Sequence, residues 1–284
     1  MSHPKAAVLT GASAGIGKAA AAQLLRQGWR VIGTGRDPAR CAAAEAELSA
    51  IAPDRFTMLR ADMSVLAEVA RLAAEIAALT PRIDALLNNA GGVSPTRRIT
   101  PEGHEETFAA NHLAPFLLTQ KLMPQLTAAA SADHPARVIV VSSTGHEHCP
   151  GIRWDDLTYE TDFVGGAAYC HAKLANILFA RELARRAAPR HVVSHAMHPG
   201  VVDSNFASHC EPAMQAYMES IKDRSLTPEQ AAETLVWLAS ADEPGRVTGR
   251  YWHQCAEVTP ASASLDDAAA ARLWAVSEEL VAGV

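Results

Sequence analysis

No apolar run in this 284-residue sequence approaches the roughly 18 residues that a membrane-spanning helix needs. The N-terminus also lacks a signal-peptide pattern, because Lys5-Ala6-Ala7-Val8-Leu9-Thr10 runs almost at once into a buried-strand pattern. Lysine and arginine form no cluster, and the formal net charge is −6. That balance argues against nucleic acid or an anionic membrane surface as a partner. The five cysteines (Cys41, Cys149, Cys170, Cys210, Cys255) are scattered and include no C-x-x-C pair. They read as free thiols of a reducing compartment, and the cytoplasm is the expected location. Internal repeats and long Pro/Gly/Ser linkers are missing too, so residues 1–284 are expected to form a single domain.

What is present alternates. Short, nearly continuous apolar runs occur at 6–10, 30–34, 56–59, 83–87, 137–142, 192–198 and 249–252. Runs of that kind suit parallel strands covered on both faces. Between them lie Ala/Leu-rich segments such as 17–27, 38–50 and 64–79, with a last helical pattern at 265–280. In that last segment Leu265, Leu273, Trp274 and Leu280 are available for packing. The alternation predicts an α/β fold: a Rossmann-type, doubly wound parallel sheet of about seven strands with helices on both faces. Two irregular segments, 144–166 and 203–225, follow the carboxyl ends of strands, where open α/β sheets bind ligands.

The first strand leads into Thr10-Gly11-Ala12-Ser13-Ala14-Gly15-Ile16-Gly17, followed by a helix. Glycines there let the backbone approach a pyrophosphate, and the helix N-terminus offers N–H groups and a favourable dipole. Gly11, Ser13, Gly15, Ile16 and Gly17 are therefore candidate cofactor contacts. The second strand ends in Arg36-Asp37. An arginine there suits a 2′-phosphate, whereas an acidic residue would hold a free ribose hydroxyl, so Arg36 favours NADP(H) over NAD(H) and Asp37 weakens the inference. Asp62, after the third strand, is placed to accept from an adenine amino group or to cap a helix starting at Ser64. After the fourth strand, Asn88-Asn89-Ala90-Gly91 forms a small polar turn, in which either asparagine can serve the turn backbone.

Tyr169 and Lys173 stand four residues apart in a run, 167–186, that reads as a helix. That spacing puts both side chains on one face, a turn apart. A nearby cation stabilises a phenolate, and such a phenol exchanges a proton with an alcohol or carbonyl near neutral pH. His146-Glu147-His148-Cys149 looks like a metal cluster but lacks any C-x-x-C or H-E-x-x-H frame, so no metal is expected. His171 is assigned to packing or surface, and Cys170 to filling space. Trp154, Phe163, Phe206, Met214 and Tyr217 serve either a hydrophobic pocket or ordinary loop packing.

As a set, the segments 10–17 and 88–91, Asn111, Ser143, Tyr169-x-x-x-Lys173 and Pro199-Gly200 resemble the short-chain dehydrogenase/reductase family. Segments 111–126, 169–186 and 249–274 are similar to its retinol-dehydrogenase-like branch. The resemblance implies Tyr169 as general acid/base and Lys173 as the group that lowers its pKa and binds the nicotinamide ribose. It implies Ser143 as the donor to the substrate oxygen, and Asn111 as the residue holding a helix kink and a relay water. Asn89, Ala90 and Gly91 would contact the cofactor, while Pro199, Gly200 and Val202 would line the nicotinamide, with Ser204 near its amide. Membrane-bound members carry an N-terminal anchor that this sequence does not show, so no membrane partner is expected. A homo-oligomer is an expectation of the family alone.

The leading reading is an NADP(H)-dependent oxidoreductase interconverting a carbonyl and an alcohol on a lipophilic small molecule. The alternatives are a non-catalytic NADP(H)-binding sensor and an epimerase or dehydratase that retains its NAD(P). Relatives of the latter kind usually show Gly-x-x-Gly-x-x-Gly, unlike the Gly11/Gly15/Gly17 spacing here.

Overall fold

The computed structural model describes residues 4–202, 215–216, 219–220, 223 and 225–284. Its centre is an eight-stranded sheet: β1 Ala6–Leu9, β2 Arg30–Gly35, β3 Phe56–Arg60, β4 Ala85–Asn88, β5 Ala136–Val141, β6 Val192–Met197, β7 Tyr251–His253 and β8 Ala256–Glu257. The spatial order is β3-β2-β1-β4-β5-β6-β7-β8. Every pair is parallel except β7 with β8. The order reverses between β1 and β4, which makes a crevice at their carboxyl ends.

Helices cover both faces because neighbouring strand residues point to opposite sides. Val8, Leu86, Val138 and Val140 face α3 (Leu66–Leu79), α5 (Ala114–Ala129), α6 (Gly165–Ala187) and the C-terminal helix Asp267–Val281. Ala7, Leu9, Leu87, Ile139 and Val141 face α1 (Gly15–Arg26), α2 (Pro38–Ile51) and the helix Pro228–Ser240. This is the doubly wound arrangement that the apolar runs imply.

The eighth strand was not expected. Trp252 pairs with Glu257 and His253 with Ala256, leaving Gln254 and Cys255 as a two-residue turn with φ of 48° and 58°. Such a turn normally announces itself with Asn-Gly or Asp-Gly, and this one does not. Leu265 also departs from expectation: it stays 42% exposed while Leu273 and Trp274 are buried. It lies in a 3-10 turn, Ser262–Leu265, that precedes the last helix. Helix α3 begins at Leu66 with Val65 as its N-cap, so Asp62 does not cap it. Instead the Asp62 carboxylate accepts from Ser64 main chain and hydroxyl at 2.9 and 2.7 Å.

Several imidazoles are fully buried. His195 donates from Nε2 to the Pro244 carbonyl at 2.9 Å, and its Nδ1 accepts from Trp252 Nε1 at 3.1 Å. A second ring proton would face that donor, so the neutral ring is the one that fits. Burial pushes the pKa of His112 down to about 3 and those of His171 and His195 to about 4. Folded values below the unfolded one mean the folded chain binds fewer protons, so stability is fully present above about pH 6.5 and falls toward pH 4. The expected loss is about 2 kcal/mol per ring by pH 5. Urea denaturation at pH 7.5, 6 and 5 measures it, and a flat unfolding free energy across that range contradicts the assignment.

Candidate active site

One cavity of about 760 Å³ runs along the carboxyl ends of the parallel strands. Each strand from β1 to β6 contributes a segment to its wall: Gly11 to Gly17, Thr34 to Asp37, Ala61 to Ser64, Asn89 to Pro95, Val141 to Gly145, and Pro199 to Val202. The glycine-rich turn after β1 lies in the middle of that row, between the segments that follow β2 and β4. Gly11 and Gly15 adopt φ of 74° and 53°, a region that only glycine enters cheaply. A Cβ at Gly17 would collide with the Gly11 carbonyl oxygen. Helix α1 starts there with no side-chain cap and no acidic residue in its first turn, leaving its amide end open to an anion.

This turn is stapled to the one after β4. Thr10 Oγ1 accepts from the main-chain N–H groups of Asn89 (3.0 Å) and Ala90 (2.9 Å), and Asn89 Nδ2 donates to the Thr10 carbonyl at 2.8 Å. Thus Asn89 does serve the turn backbone, and its neighbour Asn88 is buried against Thr119. Thr10 acts as a clamp that sequence reasoning missed.

Around the far end of β2, Arg36 is exposed and makes no ion pair among the described residues. Asp37 is committed elsewhere: its carboxylate caps α2 by accepting from the Arg40 main-chain N–H at 2.8 Å. Its nearness therefore weakens the case for Arg36 less than the sequence suggested. Arg40 lines the same end of the cavity and is a second guanidinium that sequence reasoning missed. Ser13 packs against Gly35, and Asp62 lines the wall a few residues on.

On the β4–β5 side of the cavity stand Asn111, Ser143, Tyr169 and Lys173. Asn111 lies in a π-helical turn, Ala109–Leu113, between α4 (Glu106–Phe108) and α5, where the resemblance implied a kink. Its amide donates to the carbonyls of Gly92 (2.8 Å) and Thr107 (2.7 Å) and accepts from Gly92 N–H (3.2 Å). Lys173 is 4% exposed; its Nζ donates to the Val141 carbonyl at 3.0 Å and lies 5.3 Å from the Tyr169 ring centre. Burial pushes the lysine down to about 7.

The two serines divide cleanly. Ser142 is buried and donates to the Lys173 carbonyl at 2.7 Å. Ser143 faces the cavity, and its Oγ accepts from Gly145 N–H at 3.1 Å. A Cβ built on Gly145 would lie 3.2 Å from Cys170 Sγ, 3.5 Å from Ser143 Oγ and 3.6 Å from Tyr169 Cε1, so the three converge there.

Of the cofactor candidates, Gly11, Ser13, Ile16, Gly17, Arg36, Asp62, Asn89, Ala90, Gly91, Pro199, Gly200 and Val202 all line this cavity; Gly15 starts α1 just behind it. Ser204 falls outside the described residues, as do Phe206, Met214, Tyr217 and Cys210. Trp154 lines a separate shallow cavity and Phe163 packs edge-on against Tyr159, so neither lines the main one. Val93, Ser94 and Pro95 do so instead. Their only sequence signal is their position after β4. His171 is a loop anchor rather than a surface residue: buried, it accepts the Arg153 main-chain N–H at 3.1 Å.

The chain belongs to the short-chain dehydrogenase family, whose model matches residues 5–215. It is thus an oxidoreductase of the carbonyl/alcohol type. Within the family it falls in the retinol-dehydrogenase-like branch. Human retinol dehydrogenase 14 is 35% identical across 98% of this chain and 87% of that protein. Among solved structures, an uncharacterised protein from Mycobacterium paratuberculosis superposes with a TM-score of 0.77 at 28% identity, covering 98% of this chain and 93% of that one. The Pseudomonas aeruginosa RhlG/NADP active-site complex gives 0.70 at 29% identity, with coverage of 88% and 96%. Among the described residues no helix is long and apolar enough to cross a membrane.

Proposed function

We propose that the protein is an NADP(H)-dependent oxidoreductase interconverting a carbonyl and an alcohol on a lipophilic small molecule, with Tyr169 as general acid/base. The observation that carries this reading is the single cavity joining the uncapped N-terminus of α1 to Ser143, Tyr169 and Lys173. The names of its relatives support the substrate class, as do the apolar residues Val93, Pro95, Val141, Val201 and Val202 in the wall.

The residues fit the cofactor. Gly11, Ser13, Gly15, Ile16 and Gly17 would hold the pyrophosphate at the helix end, and Arg36 with Arg40 the 2′-phosphate. Asp62 would accept from the adenine, Asn89-Ala90-Gly91 and Lys173 would hold the ribose side, and Pro199, Gly200 and Val202 the nicotinamide. The cofactor, when bound, supplies or accepts the hydride. Tyr169 gives its phenolic proton to the substrate oxygen during reduction and recovers one during oxidation. Ser143 already accepts from Gly145, so its own hydroxyl proton is left for the substrate oxygen. Lys173 and the Tyr169 phenolate stabilise each other's charge.

A cofactor-coupled absorbance screen of NADPH and NADH against aldehydes, ketones and retinoids tests the reading. NADPH should be preferred, and Arg36→Ala should raise its KM about tenfold to a hundredfold, the value of a charge-assisted hydrogen bond. Its effect on NADH should be small. A wild-type preference for NADH defeats the assignment of Arg36.

A further inference from the structure

We infer that His146 is a positioning residue that holds Ser143 in place and ties it to the C-terminal segment. The inference rests on the reading of Ser143 as the donor to the substrate oxygen. His146 is fully buried, three residues along from Ser143 in the 3-10 turn Thr144–His148, whereas His148 is exposed. Its Nε2 lies 3.1 Å from the Ala261 main-chain N–H. That N–H can only donate, so Nε2 is the bare acceptor and the ring proton sits on Nδ1. From there it donates to the Ser143 carbonyl at 2.6 Å. The main-chain N–H of His146 reaches the same carbonyl at 3.2 Å.

Ser143 is therefore held at two points. Gly145 N–H fixes its Oγ, and His146 fixes its carbonyl with two donors. The imidazole itself is wedged edge-on against Tyr251, with ring centres 5.2 Å apart. One neutral ring thus bridges the strand-end serine and Ala261, 115 residues downstream. Neither nitrogen is left for a metal or for proton exchange with substrate. The ring acts through the serine.

The test is a double-mutant cycle on the full chain, with NADPH oxidation measured against the best carbonyl of the screen. His146→Ala should lower kcat about tenfold to a hundredfold, the effect of a small misplacement at the reacting centre, with KM for NADPH within about twofold. In a Ser143→Ala background the same change should cost less than about twofold, because the serine it positions is gone. Asn carries its amide nitrogen at the same bond count from Cα as imidazole Nδ1, so His146→Asn should recover most of kcat while His146→Leu should not. If His146→Ala does not fold, the Asn and Leu variants decide alone, and equal kcat values for the two overturn the inference. Equal losses in both serine backgrounds, or wild-type kcat in His146→Ala, also overturn it while leaving the function standing. Wild-type turnover in Ser143→Ala removes the reading of the serine, and the inference with it.

Discussion

Tyr169→Phe is expected to lower kcat by about a hundredfold to ten-thousandfold while NADPH affinity stays within about twofold. The substitution removes one oxygen and keeps the ring that Lys173 Nζ approaches at 5.3 Å. Gly11 to Gly17, which would hold the phosphates, belong to the separate wall segment after β1, and the substitution leaves them unchanged. Loss of turnover together with intact binding is the mark of a group that acts on the reacting proton and not on affinity. Fluorescence titration with NADPH and steady-state rates measure the two quantities separately. Retained turnover sinks the role of Tyr169, and lost binding shows that the phenol serves the cofactor instead.

Gly91→Ala is the second large effect, expected at about a hundredfold in kcat. The reason is space. A Cβ at position 91 would run into Asn111 Oδ1 and come within 3.2 Å of Lys173 Nζ. Neither neighbour has an easy retreat: Asn111 is bonded to Gly92 and Thr107, and Lys173 to the Val141 carbonyl. The overpacking should also cost about 1–3 kcal/mol of stability. Gly92→Ala is the control, since a Cβ there meets nothing within 4 Å. Comparable activity in the two variants refutes the packing argument.

Much of this was readable in the sequence, for physical reasons. Parallel strands buried on both faces must be apolar along their length, so β1, β2, β4, β5 and β6 stood out as runs. The Tyr169/Lys173 spacing translates directly into geometry because helix α6 is regular there. Ser143 and Asn111 came through resemblance, and the π-turn at Ala109–Leu113 gives the implied kink a definite form. Contacts between distant segments left no trace. The bond from Ala261 to His146, the Thr10 clamp on Asn89 and Ala90, and the Val93–Pro95 wall depend on which loops meet, and no local pattern encodes that. The Gln254-Cys255 turn was hidden for another reason: its residues are not the ones that usually adopt positive φ.

That turn has a bearing on solubility. A sheet ending at β7 would present a row of bare amide and carbonyl groups beside Trp252, a ready template for a strand of another molecule. Folding two exposed residues, Ala256 and Glu257, back across Trp252 and His253 occupies that row. What is left on the outside is too short to seed a cross-molecular ribbon, and it carries the Glu257 carboxylate, held by Arg250 at 3.1 Å. Among the described residues, this two-residue strand guards the flank of the sheet beyond β7.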